Sequence, residues 1–292
     1  MTARITAASP RIRSMLYVPA SSERFLSKAH ERGADAMILD LEDSVAPEEK
    51  ATARAALARW IPAVSQGGAK VFVRVNSGKQ MLFADAEASC RAGAFGLFIP
   101  KAEDPNELKL LARRLDKVER AMKRRQKTVL VAMIESPEAV LKARALAAAT
   151  PRMFGLVMGS DDLASAMGAE AKPEVLRFPW LMVHFAAKAA GIFSFGFLLS
   201  QGEYRDTAAI ARAAQEARSF GFDGATCVHP SAVAILNEAF SPSAAEIDRA
   251  KRMVEAYDAS LAAGKGACVF EGKMIDRAMV LRAKTLLGMP AS

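Results

Sequence analysis

Eight short apolar runs recur along the chain, each followed by a segment of helical pattern. They are MLYVP (15–19), AMILDL (36–41), VFVRV (71–75), GLFIP (96–100), VLVAMI (129–134), FGLVMG (154–159), GIFSFG (191–196) and GATCV (224–228). Between them lie amphipathic stretches such as PEEKATARAALARWI and TAAIARAAQEARSFG. Strands that are apolar on both faces and alternate with helices imply a parallel sheet covered on both sides. Eight such units within about 230 residues predict an α/β fold, a closed (β/α)8 TIM barrel with a C-terminal helical extension, rather than an open sheet. The open dinucleotide-binding alternative requires a glycine-rich turn after an early strand, and LYVPASSERF has none.

The barrel is expected over residues 1–240, with 1–10 as a flexible basic arm. Residues 241–292 form an appendage: one helix in SPSAAEIDRAKRMVEAYDASLAAGKG, then ACVFEGKMID, then a last helix in RAMVLRAKTLLG. It has no ninth barrel strand to serve, so a neighbouring subunit is the surface expected to receive it.

Bulk properties narrow the chemistry. No apolar stretch approaches the roughly 20 residues of a membrane span, and the N-terminus lacks the apolar core of a secretory signal. Three cysteines (Cys90, Cys227, Cys268) lie far apart with no CxxC spacing, which fits a cytoplasmic protein and argues against zinc. The formal charge of +8 favours an anionic partner. The one dense basic stretch, RRLDKVERAMKRRQK (113–127), reads as the solvated face of a helix, so the anion expected is a small molecule rather than nucleic acid.

In such barrels the loops at the C-terminal strand ends build the active site. Those ends carry Asp40, Glu42 and Asp43, then Arg74 and Asn76, then Lys101 and Glu103, then Glu135, then Asp161 and Asp162, and finally His229. Each acid has a plain structural reading as a helix cap or an ion-pair partner; His229 before Pro230 has one as the residue that orients its loop. Glu135 is distinctive. The run VLVAMI stops at it, and Ser136-Pro137 then supplies an N-cap and an N1 proline for the next helix. The adjacent strand end supplies a second acid. Two carboxylates on neighbouring strand ends, without His or Cys, suit a hard cation such as Mg²⁺.

The motifs RSMLYVP, GADAMILDLEDSVAPEEK, VRVN, PKAED, AMIESPEAV, MGSDDLASAMGA, GFDGATCVHPSAV and GKMIDRAMV occur in this order over about residues 11–287. Together they resemble the citrate lyase beta-subunit family of citryl-CoA, malyl-CoA and citramalyl-CoA lyases, within the HpcH/HpaI aldolase superfamily. The resemblance implies a Mg²⁺-dependent barrel enzyme that cleaves or forms a carbon–carbon bond in a 3-hydroxyacyl-CoA, releasing a 2-keto acid such as oxaloacetate. It implies Glu135 and Asp162 as metal ligands, with Asp162 preferred over Asp161 because it directly precedes Leu163. Arg74 is implied as the residue holding the keto-acid oxygen, with Lys101 and Glu42 beside the substrate. Asp276 resembles a tail acid that reaches a neighbouring subunit's site, in a homo-oligomer (trimer or hexamer). The general base stays open among Asp43, Glu42, Asp276 and a water. Acyl-carrier partner subunits are a further possibility that the resemblance raises.

Three places depart from the family pattern. Ala20 follows Pro19 where glycine is usual, RFPWLM (177–182) replaces a segment of small and basic residues, and Phe195 stands where an acid commonly precedes Gly196. The last change is expected to make one wall of the barrel mouth apolar. Two other readings follow: a metal-dependent aldolase for free 2-keto acids with His229 as base, or a non-catalytic paralogue that kept the fold.

Overall fold

The eight apolar runs are the eight strands of one parallel sheet. The structure, a computed structural model, describes residues 10–289; the N-terminal arm expected over 1–10 therefore lies outside the described residues except for Pro10. The strands are β1 (Ser14–Pro19), β2 (Ala36–Asp40), β3 (Lys70–Arg74), β4 (Gly96–Ile99), β5 (Val129–Ile134), β6 (Met153–Met158), β7 (Phe193–Phe195) and β8 (Ala225–Cys227). Their spatial order is β7-β6-β5-β4-β3-β2-β1-β8. A parallel bridge between Phe195 and Gly224 joins the two ends, with the Gly196 amide donating to the Gly224 carbonyl at 2.9 Å. The sheet is thereby a closed (β/α)8 barrel.

Strand side chains alternate between two faces, and the two faces bury different things. Leu16, Leu39, Val73, Leu97, Leu130 and Leu156 face outward into the layer under the helices. Met15, Ile38, Phe72, Phe98, Val131, Met133 and Val157 face inward, joined by Phe154, Phe193 and Phe195. Aromatic rings dominate this inner cluster: Phe154 meets Phe193 at 4.6 Å between centroids, and Phe72 meets Phe98 edge-on at 5.5 Å. The barrel is filled below its mouth, as expected for eight strands.

Phe195 belongs to that filling. It is 1% exposed and stacks with Phe193 and Phe154. The expectation that it makes a wall of the mouth apolar is therefore corrected: its side chain is spent inside the core. Within RFPWLM, Trp180 is likewise internal, buried and stacked on Phe222 at 4.0 Å, whereas Phe178 of the same segment is exposed.

Contacts divide the chain into two compact units, residues 10–240 and 241–289. The second has its own core, with Met253, Val254, Tyr257, Phe270, Ile275 and Val280. Its helices are Ala244–Ala262, opened by a Ser243/Glu246 capping box, and Arg277–Leu286. Between them the ACVFEGKMID stretch forms an antiparallel hairpin, β9 (Cys268–Phe270) with β10 (Lys273–Ile275). Among the described residues no helix is long and apolar enough to cross a membrane.

The core requires glycine at 155. A Cβ there would lie 2.8 Å from Cε2 of Phe195 and 3.0 Å from the Phe193 carbonyl oxygen. Gly155→Ala is expected to destabilise the fold by about 1–3 kcal/mol through overpacking, read from urea melts. In a Phe195→Leu background the added cost of the same change should be smaller.

Candidate active site at the barrel mouth

The inward parity of each strand carries on above the core, and there the residue types change. Tyr17 continues Met15, Asp40 continues Ile38, Arg74 continues Phe72, and Glu135 continues Val131 and Met133. The backbone register sets Asp40 beside Arg74. These four side chains line a cavity of about 400 Å³, together with Asp43, Asp161 and Asp162. Its lining thus includes five carboxylates and one guanidinium. The chain's overall positive charge does not extend to this cavity.

Arg74 is the hub of one half. Its Nε and Nη2 donate to the two oxygens of Asp40 at 2.7 and 2.8 Å, a bidentate pair. Its Nη1 donates to Asp43 at 2.9 Å and lies 3.0 Å from Glu42. Burial opposes ionisation of Asp40, but the Arg74 hydrogen bonds outweigh it and hold the carboxyl below its usual range. Glu42 is also buried and less well served. Desolvation, reinforced by Asp43, Glu135 and Asp40 against the pull of Arg74, pushes it up to about 7. It lies behind Arg74, a lining residue, and is not itself among the side chains that line the cavity.

A second layer fixes this half. Asn76 donates through both its amide nitrogens to Asp85 Oδ2 at 2.8 Å, and Arg54 pairs with the other Asp85 oxygen. Lys50 bonds the Asn76 side chain and the Glu42 carbonyl. Asp85, Arg54 and Lys50 sit inside helices, and Tyr17 inside a strand, so a reading of strand ends does not find them. The inward period of two from Met15 would have found Tyr17.

The other half is built on Glu135. It is 5% exposed, and its Oε2 accepts the Lys101 amide at 2.7 Å. Lys101 adopts a left-handed backbone (φ 49°), uncommon for a residue with a Cβ, and that turn brings its N–H to the carboxylate. Gly159 makes room on the other side: a Cβ would lie 2.6 Å from Glu135 Cγ and 2.8 Å from Oε1. Desolvation and then the charge of Asp162 push Glu135 up to about 7, against the Lys101 amide. Ser136 caps the following helix by accepting from the Ala139 amide at 3.2 Å, as its place before Pro137 predicts.

Asp161 and Asp162 open the helix Ser160–Ala166. Ser200, in the loop after β7, donates to Asp161 Oδ1 at 3.0 Å. Glu135 and Asp162 also line a second recess of about 430 Å³ with Lys101, Glu103 and Ser136, so the pair forms the divide between two cavities. Lys101 lines this recess and not the first. Among the described residues no group of three or more His, Cys, Asp or Glu side chains is positioned to hold a metal. Two carboxylates that leave positions for water and substrate oxygens are the usual Mg²⁺ arrangement.

His229 is exposed and outside the first cavity's lining; its Nδ1 lies 2.8 Å from the Ser231 hydroxyl. This is a loop-orienting arrangement. Asp276 belongs to the second unit, where its Oδ1 caps the last helix through the Met279 amide at 3.1 Å.

A filled (β/α)8 barrel with an acid-rich cavity at the C-terminal ends of its strands is an enzyme architecture. A family model described as HpcH/HpaI aldolase/citrate lyase matches residues 13–230, and the chain belongs to that family. A (3S)-malyl-CoA thioesterase of Cereibacter sphaeroides is 34% identical over 278 residues, covering 94% of this chain and 93% of the relative. The citrate lyase subunit beta of Escherichia coli is 32% identical over 279 residues, covering 94% and 92%. Among solved structures, protein CitE of Mycobacterium tuberculosis in complex with magnesium, acetoacetate and coenzyme A is similar with a TM-score of 0.75 at 27% identity, covering 96% of this chain and 98% of that one.

Glu42 and Glu135 make the fold sensitive to pH. Both are acids whose folded pKa, about 7, lies above the ordinary 4.5. Each favours folding when protonated, a contribution complete below the ordinary value and lost as pH rises through about 7. Without divalent cations, the melting temperature should therefore fall as pH rises from about 5 to about 8. Glu135→Gln should flatten part of that slope in a thermal-shift series.

Proposed function

We propose that this chain is a Mg²⁺-dependent carbon–carbon lyase acting on a 3-hydroxyacyl-CoA of the citryl or malyl type, yielding an acyl-CoA and a 2-keto acid. The observation that carries the reading is the Glu135 corner. A buried carboxylate, anchored at one oxygen and crowded by a second acid, faces a cavity in which acids outnumber bases. An anionic keto acid entering such a cavity needs a cation between it and those carboxylates. The relative complexed with magnesium, acetoacetate and coenzyme A supports the same chemistry.

In this reading Glu135 and Asp162 hold the ion, and the Lys101 amide keeps Glu135 from rotating away. Magnesium bound there supplies Lewis-acid polarisation of the keto-acid oxygen. Arg74 faces the same space with four of its five N–H groups turned to Asp40, Asp43 and Glu42, which leaves an Nη2 proton for a substrate oxygen. Asp40 fixes the guanidinium by its bidentate pair, so that donor is oriented before substrate arrives. Asp43 lines the cavity and is the side chain we assign to take the substrate's hydroxyl proton; Glu42, near 7, backs it behind Arg74. Asp276 is assigned to a neighbouring subunit's site, with the second unit as its carrier.

A second reading has a specific support. The relative at 34% identity is named a malyl-CoA thioesterase, and hydrolysis of the thioester would use the same cation and the same cavity. The products decide between them. Malyl-CoA and citryl-CoA with Mg²⁺ are expected to yield a 2-keto acid and acetyl-CoA, followed by hydrazone absorbance; release of free CoA thiol with the hydroxy acid intact indicates hydrolysis. Silence towards both substrates would sink the enzyme reading in favour of a non-catalytic paralogue. Glu135→Ala should abolish turnover and lower Mg²⁺ affinity at least tenfold by calorimetry, and an unchanged affinity would overturn the metal assignment.

A further inference from the structure

Tyr17 is unassigned in the scheme above, and its setting is unusual. It sits on the inward face of β1, and its ring packs on the interior core, edge-on to Phe98 at 6.3 Å between centroids. The Arg74 guanidinium lies 5.1 Å from the ring centroid. With the ring anchored below, the phenol end is the part that lines the cavity. Its hydroxyl makes no hydrogen bond to a described residue, although Asp40 and Asp43 line the same cavity. Arg74 engages those two acids instead.

We propose that the Tyr17 hydroxyl is the hydrogen-bond donor to the thioester carbonyl oxygen of the bound acyl-CoA. The inference rests on the CoA-thioester reading of the site and deepens it. Strands β1 and β5 lie four places apart in both directions around the closed barrel, so Tyr17 faces the Glu135 corner from the opposite wall. The keto-acid half of the substrate is drawn to that corner and to Arg74. The acyl half is then directed to the wall carrying Tyr17. A carboxylate there would meet Asp40 and Asp43 with no spare cation, whereas a thioester oxygen is neutral in the ground state and needs only a neutral donor. When the hydroxyl proton leaves and the carbon–carbon bond breaks, the bond's electron pair moves into the thioester and negative charge develops on that oxygen. The charge is discharged when a proton, matching the one given up by the hydroxyl, reaches the enolate carbon. Burial raises the Tyr17 pKa further above its ordinary value, so the phenol stays a donor throughout. Donors aimed at a developing oxyanion are worth about a hundredfold or more in rate.

Tyr17→Phe keeps the ring, its core packing and the Arg74 contact, and removes only the donor. It is expected to lower kcat about a hundredfold while Mg²⁺ affinity and melting temperature stay near wild type. Binding supplies an independent readout. Wild type should prefer an acyl-CoA thioester over the thioether analogue that lacks the carbonyl oxygen, and Tyr17→Phe should bind the two alike. An unchanged kcat in Tyr17→Phe, or a retained preference for the thioester, overturns the proposal. Wild-type protein that neither turns over nor binds any CoA thioester overturns the underlying reading instead.

Discussion

In the closed barrel the pleat admits only alternate residues to the interior, and the rings of Phe72, Phe98, Phe154, Phe193 and Phe195 occupy it below the mouth. A polar side chain at inward parity within that level would lose its water with nothing to replace it. Apart from Thr226, which sits beside Met15 on β8, the polar side chains at inward parity stand in the top layer: Tyr17, Asp40, Arg74 and Glu135. The aromatic core is thus the floor of the site as well as the main internal packing of the sheet. It fixes the height at which chemistry begins. Gly155 and Gly159 on β6 and its loop serve the two levels separately, the first admitting the Phe195 ring and the second the Glu135 carboxylate.

The mouth is electrostatically divided. On the β2–β3 side, Asp40, Glu42 and Asp43 gather around Arg74, and the Asn76–Asp85–Arg54 layer stabilises that arrangement from behind. On the β5–β6 side, the described residues place no ion pair on Glu135 or Asp162; the Lys101 amide contributes a single hydrogen bond to Glu135. The shifts in proton affinity follow this division. Asp40 is compensated by Arg74 and held below its usual range, whereas Glu135 is only partly compensated and sits near 7. An acid left in that state beside a cavity is a candidate functional group.

Most of the fold was legible because parallel strands buried on both faces leave continuous apolar runs, and eight of these were present. Their ends were less legible: β7 and β8 are three-residue strands, shorter than the apolar runs that mark them. Glu135 was legible because an acid interrupts an apolar run directly before a capped helix. Arg74 and Asp162 needed family motifs to stand out. Phe195 was misread because an apolar residue at a strand end fits either a mouth wall or a core. The choice depended on a partner 40 residues away, Gly155, whose missing side chain leaves the ring a place to go. The Asp85 and Lys50 layer was illegible for a similar reason, since a charged residue within an amphipathic helix looks solvated until the tertiary fold buries it.

Whole-chain charge pointed to an anionic ligand, yet the cavity expected to receive that ligand is acidic. The two facts are compatible if different parts of the ligand answer to different fields. Long-range attraction depends on the summed charge and brings an anion toward the protein. Binding in the cavity depends on the few groups within hydrogen-bond reach, where the acids dominate. In the proposed reading, the keto-acid half is admitted only with a cation, and the thioester half only because it is neutral and meets a neutral donor. A cavity built this way selects for a ligand that is charged at one end and uncharged at the reacting carbonyl of the other. That is the charge pattern of a 3-hydroxyacyl thioester bearing a carboxylate beside its hydroxyl carbon.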